Sequence, residues 1–124
     1  MKRGELEVLI RNEVINIFKS SMGKGPQDTT LKITKNYIIL EIVGILMPGE
    51  KKLIKLETGH EQVSQMKDSL MDILCQDFIK IIEKILQVKV VDYITKVNVE
   101  GNVHRCLFIL EDNLEKFIKD SITT

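Results

Sequence analysis

Between Glu5 and Met22 the apolar residues Leu6, Leu9, Ile10, Val14, Ile17 and Phe18 recur every three or four positions, separated by Arg11, Asn12, Asn16 and Lys19. An α-helix turns once in about 3.6 residues, so this spacing predicts one amphipathic helix. Gly23-Lys24-Gly25-Pro26 predicts its end, because glycine accepts the left-handed C-cap conformation and proline cannot continue the hydrogen-bond ladder. Thr29–Lys35 and Tyr37–Ile45 are rich in Thr, Ile, Val and Tyr and are separated at Lys35-Asn36, which predicts a β-hairpin. Leu31 and Ile33 alternate with Lys32 and Thr34, so the first strand has one wet face. The second strand is apolar on both faces apart from Glu41, as expected of a central strand.

Leu46-Met47-Pro48-Gly49 interrupts the strand, and Pro48 suits the first position of a short helix reaching about Leu56. Thr58-Gly59-His60-Glu61 has the form of a capping box opening a long helix. Val63, Met66, Leu70, Ile73, Leu74, Phe78, Ile81, Ile82 and Ile85 carry the helical period to about Leu86. Alternation from Val88 to Val99, a turn at Glu100-Gly101-Asn102 and the run Val103–Leu110 predict a second hairpin. A tail helix is expected over Asn113–Ser121. Helix, hairpin, long helix, hairpin and tail helix imply an α+β fold: a two-layer sandwich whose mostly antiparallel four-stranded sheet is covered by helices on one face.

A chain of 124 residues, 44% hydrophobic and 29% charged, has the size and composition of one globular domain with a real core. Residues 1–124 are therefore read as a single domain. Lys plus Arg and Asp plus Glu both total 18, so no global field draws it to nucleic acid or to an anionic bilayer. Four Phe, two Tyr and no Trp offer few platforms for stacking bases, and no nucleic-acid partner is expected. Glu5, Glu7, Arg11 and Glu13 break any N-terminal signal-like run. The most apolar window, Tyr37–Pro48, is shorter than the roughly 20 residues of a spanning helix and contains Glu41, so no membrane insertion is expected. Cys75 and Cys106 stand far apart with no CxxC or neighbouring His, which supports neither a zinc site nor a disulfide scaffold and fits a reduced, cytoplasmic chain.

Candidate chemistry is sparse. Gly23-Lys24-Gly25-Pro26 offers a nest of N–H groups for an anion, but its place after a helix favours a plain helix stop over a phosphate loop. His60 and His104 have no ligand or nucleophile partner nearby in sequence and read as surface histidines. Cys75 and Cys106 read as small core residues, with a Cys–His nucleophile left open. Glu41, inside an apolar strand, must meet solvent, a basic partner or an interface, since an unpaired buried carboxylate costs several kcal/mol. Lys24, Lys32, Lys51, Lys52, Lys55 and Lys67, interleaved with acids, read as a solvated face. No catalytic residue, metal ligand or cofactor is assigned, and the chain is not expected to be an enzyme.

Gly23-Lys24-Gly25-Pro26, the run from Leu40 through Gly44, Pro48 and Glu50 to Leu53, and Gly59-His60-Glu61-Gln62-Val63 followed by Lys67 together resemble the MpsC domain family. Its members carry a Gly-basic-Gly-Pro turn, a Gly-x-Leu-x-Pro-x-Glu segment and a Gly-x-x-x-Val stretch followed by a basic residue. The likeness spans about Val14 to Leu110. It departs from the family at Gly49, where Ala is common, and at Lys67, where Arg is expected, and a lysine is a point charge rather than a bidentate fork.

The resemblance implies a small soluble bacterial protein associated with a sodium-translocating, membrane-potential-generating system. It implies no established reaction. Two readings follow. In the first, the chain is a cytosolic accessory or regulatory binding module, a homodimer with a protein of that membrane system as partner, and Tyr37, Ile39, Tyr93 and Val97 leave the uncovered sheet face apolar. In the second, Lys24, Lys67 and loop N–H groups sense a phosphate, carboxylate or bicarbonate. The residues singled out for a partner or anion are Gly23, Lys24, Gly25, Pro26, Glu41, Gly44, Pro48, Glu50, Gly59 and Lys67.

Overall fold

Helix α1 (Arg3–Met22) turns Ile10, Val14 and Phe18 inward, each fully buried. It stops where Gly23 adopts φ 83° and its N–H donates to Lys19 O at 2.9 Å. The structure, a computed structural model, describes residues 1–114. Strands β1 (Asp28–Thr34) and β2 (Tyr37–Val43) form the first hairpin. Helices α2 (Pro48–Leu53) and α3 (Glu57–Leu86) then lead to β3 (Val90–Asn98) and β4 (Val103–Leu110), the second hairpin.

The two hairpins join through β2 and β4, giving one antiparallel four-stranded sheet in the order β1-β2-β4-β3. The expected α+β sandwich is therefore the fold, with β2 central. α1 packs on β1 and on α3, and α3 packs on β3, so both long helices lie on one face. The core between the layers is built from Ile38, Leu40, Ile42 and Phe108 of the central strands against Phe18, Met71, Phe78 and Ile82 of the helices. Fully burying side chains of this size stabilises the fold by about 1.5–3 kcal/mol each.

Boundaries differ from expectation where backbone geometry overrides composition. β2 ends at Val43 instead of Ile45 because Gly44 takes φ 87° and leaves the sheet. α2 stops at Leu53, and α3 starts at Glu57 behind Leu56. Thr58 and Glu61 thus lie inside α3. The carboxylate closure expected of them occurs one helix earlier, where Glu50 Oε1 accepts the Met47 N–H at 2.8 Å. An irregularity between Val90 and Asp92 shifts the register of β3, so that Val90, Tyr93 and Val97 all pack toward the helices. Beyond Leu114, the expected tail helix lies outside the described residues.

Candidate functional site

Gly44, Pro48, Glu50, Gly59 and Lys67, among the residues singled out from sequence, come together at the end of the sheet where β1 begins and β2 ends. Gln27 N–H donates to Val43 O at 2.8 Å, which lays the turn after α1 against the connection from β2 to α2. Gly44 fits there because a side chain's Cβ would stand 2.8 Å from Gln27 N. The tip of the second hairpin closes the same connection. Asn102, at φ 55°, accepts the Gly44 N–H on its backbone oxygen and the Ile45 and Leu46 N–H groups on Oδ1, each at 2.8 Å. Three backbone donors leaving the sheet are thereby satisfied without a ladder.

Pro48 occupies the first turn of α2, and Glu50 follows as its hub. Besides capping Met47, Glu50 Oε1 lies 2.9 Å from Lys67 Nζ. Lys67 is fully enclosed, and among the described residues its ammonium has this ion pair but no well-directed hydrogen bond. Gly59, in the first turn of α3, lets the C-terminal end of α2 rest on the helix, since a Cβ there would fall well inside van der Waals contact of Leu53 O. Gly44, Pro48, Glu50, Gly59 and Lys67 therefore belong to one clasp that seats α2 on α3 and on the sheet end.

Other singled-out residues do different things. Gly23 supplies the helix stop, Gly25 and Pro26 line an open groove of about 400 Å³ beside α1, and Lys24 is exposed on the same turn. Glu41 lies on the uncovered sheet face, where Arg105 Nε donates to its Oε2 across the β2–β4 register at 2.7 Å. His60 pairs with Glu100 at 3.2 Å.

Two residues read as surface groups are buried. Lys67 belongs to the Val63-Lys67-Met71 row of α3, four residues from each apolar neighbour, and the helical period carries it inward. His104 shares strand parity with Cys106, Phe108 and Leu110, all of which face the helices. Parity was the available signal, and it outweighs the usual exposure of histidine.

The inward His104 stands beside Cys106, two residues on along β4, and both meet Cys75 of the distant α3. Cys75 of α3 and Cys106 of β4 stand with sulfurs 3.5 Å apart, and His104 Nε2 lies 3.2 Å from Cys106 Sγ. Thr95 Oγ1 touches His104 Nε2 and lies 3.6 Å from Cys106 Sγ. The sulfurs and imidazole are buried, and their ligand atoms all fall within 4.8 Å of one another. The Cys106 thiol beside Cys75, helped by His104 and Thr95, holds the Cys75 thiol below its usual range while burial opposes the shift. Cys75 and burial push the Cys106 thiol upward.

The uncovered sheet face carries a second feature. Ile39, Leu107 and Ile94 lie side by side across β2, β4 and β3, with Ile39 49% and Ile94 60% exposed. Tyr37 and Ile109 extend this strip on one side, and the Glu41–Arg105 pair with Lys96 borders it on the other. Tyr37 and Ile39 thus stand on the open face as expected. Tyr93 and Val97 do not, because the β3 irregularity turns them toward the helices, where the Tyr93 hydroxyl donates to Asp72 at 2.6 Å.

Among the described residues no helix is long and apolar enough to cross a membrane. Neither the curated proteins nor the solved structures contain a significant match to this chain. Residues 2–112 match the family model described as Na+-translocating membrane potential-generating system (MpsC), and the chain belongs to that family.

Proposed function

We propose that this protein is a cytosolic accessory module of the sodium-translocating, membrane-potential-generating system its family is named for. It acts by binding rather than by catalysis, and it works as a homodimer joined through the open sheet face. The observation that carries this reading is the apolar strip Ile39-Leu107-Ile94 bordered by the Glu41–Arg105 pair. An exposed strip of this kind on a sheet is worth covering, since each buried Å² of apolar surface contributes about 25 cal/mol.

The strip is self-complementary. A two-fold axis running parallel to the strands between β2 and β4 sets Ile39 over the partner's Leu107 and Glu41 over the partner's Arg105. At these two rows apolar meets apolar and each carboxylate meets a guanidinium, as an isologous interface requires, while Ile94 lies over the aliphatic stem of the partner's Lys32. The equal totals of acidic and basic residues, 18 and 18, also suit self-pairing better than a strongly charged partner. Edge pairing is less favourable. The β3 edge is irregular near Asp92 and carries Lys96, features that discourage strand addition, and at β1 Glu7 Oε2 already takes the Ile33 N–H at 2.8 Å.

Binding is favoured over catalysis because the nucleophilic and acid–base groups the fold gathers, Cys75, Cys106 and His104, are enclosed between α3 and the sheet. The functional test is complementation. Cells lacking this protein should show a reduced sodium-dependent membrane potential, restored by the wild-type chain and not by an Ile39→Lys chain of equal abundance. Full restoration by Ile39→Lys would remove the open face from the function.

The anion-sensor reading keeps one supporting observation, the enclosed Lys67 ammonium with Glu50 as its one anionic partner among the described residues. A phosphate, carboxylate or bicarbonate would have to displace Glu50 to reach it, and exposed Lys24 lies on a different turn. A thermal-shift series with these anions tests it, since a bound anion raises the melting temperature by mass action.

A further inference from the structure

We propose that Cys75, Cys106 and His104 form a binding site for a divalent thiophilic metal ion of the zinc class. The site is independent of the open sheet face. Its case rests on geometry. Zinc bonds of about 2.3 Å to sulfur and 2.0–2.1 Å to nitrogen, arranged tetrahedrally, place sulfur pairs about 3.8 Å apart and sulfur–nitrogen pairs about 3.6 Å apart. Two of the three observed edges, 3.5 Å between the sulfurs and 3.2 Å from Cys106 Sγ to His104 Nε2, are within a few tenths of an ångström of those values, and the third, from Cys75 to His104, is within 4.8 Å. Small side-chain rotations open the set to the required size.

The ligands come from rigid elements. Cys75 sits in the middle of the thirty-residue α3, and His104 and Cys106 alternate along the central strand β4, so both project to the helix-facing side. Thiolates and imidazole are the donors that borderline and soft ions prefer over water, carboxylate and carbonyl. Charge selects the valence. Each thiol releases its proton to solvent as the ion binds, and two thiolates then neutralise a divalent cation, leaving no net charge in the core. A monovalent ion would leave one uncompensated negative charge there.

The fourth position and the route of entry are also visible. Thr95 Oγ1, beside both His104 Nε2 and Cys106 Sγ, stands at the side of the cluster that faces β3. Thr95 also lines an open groove of about 550 Å³ between α3 and β3, whose charged wall residues are Asp68, Asp72 and Lys96, a net negative set. Carboxylates at the mouth attract a cation, and the Thr95 hydroxyl or a water from the groove completes the coordination.

The test uses the full chain, reduced and freed of metal with a chelator, titrated with Co2+ and then Zn2+. The expected result is one equivalent bound, with a thiolate-to-cobalt charge-transfer band and strong tetrahedral d–d absorption that Zn2+ displaces. Cys75→Ser and Cys106→Ser should abolish the charge transfer or weaken binding by well over tenfold, since each removes a thiolate ligand. X-ray absorption of the zinc-loaded wild-type chain decides the matter even where a variant fails to fold. Two sulfur scatterers near 2.3 Å and a nitrogen near 2.0–2.1 Å are expected. Absence of a thiolate–cobalt band in the folded, reduced wild type, or oxygen-only coordination of the bound zinc, would overturn the proposal.

Discussion

Lys67 Nζ lies 2.9 Å from Glu50 Oε1, yet the two side chains differ in their access to water: the lysine has none and the glutamate retains 16%. The pair is therefore asymmetric. Removing the carboxylate strands a cation in the core, whereas removing the lysine leaves a carboxylate that still reaches solvent and still caps Met47. Glu50→Gln, which keeps the oxygen for the Met47 N–H, should destabilise the fold by about 3–5 kcal/mol, and Lys67→Met by much less. Urea denaturation checks both, and the double variant should recover most of the loss.

Glycine substitutions should separate sharply by place. Gly59→Ala drives a Cβ into the Leu53 carbonyl, which is backbone and cannot rotate away, so a loss of at least about 1–3 kcal/mol is expected. Gly44→Ala meets Gln27 N and must hold φ 87°, with a loss of similar size. Gly49→Ala meets nothing within 4 Å inside α2 and should stabilise by up to about 1 kcal/mol. Melting temperatures of the three variants, measured side by side, test the clasp.

Asn102 is expected to act through its side-chain oxygen. Asn102→Ala leaves the Ile45 and Leu46 N–H groups without an acceptor at buried residues and should cost about 1–3 kcal/mol for each group that water cannot reach. Asn102→Asp keeps the acceptor and should lose much less. Amide hydrogen exchange at Ile45 and Leu46 reports this directly, with faster exchange expected in Asn102→Ala only.

Most of the fold was legible because burial periodicity decides it. The four-residue spacing of Ile10, Val14 and Phe18 and the alternation around Leu31 and Ile33 name the buried faces without any tertiary information. What could not be read locally were the contacts between distant segments. Asn102 serves Ile45 from 57 positions away, and Cys75 meets Cys106 across 31. Lys67 and His104 were misplaced for a different reason. Residue type argued for the surface, while helical row and strand parity argued for the core, and the surrounding apolar residues prevailed. Tyr93 and Val97 differ from expectation although their parity is visible: the doublet Val90-Val91 breaks the alternation, and the run to Val99 shares the face of the buried Phe108 and His104.

The swapped Glu41–Arg105 contacts of the proposed dimer make a charge-reversal test. Arg105→Glu alone should weaken self-association, because two copies then bring carboxylates together, and adding Glu41→Arg should restore it. The apparent dimer dissociation constant, followed at low and high salt, reads the effect, and the weakening should diminish as salt screens the charges.

Sedimentation equilibrium of the reduced 124-residue chain over a wide concentration range tests the central claim most directly. The account predicts a reversible dimer of twice the 14.2 kDa chain mass, converted to monomer by Ile39→Lys while the circular dichroism spectrum stays unchanged. A wild-type chain that remains at the monomer mass up to the highest concentration would contradict it, as would a dimer indifferent to Ile39→Lys.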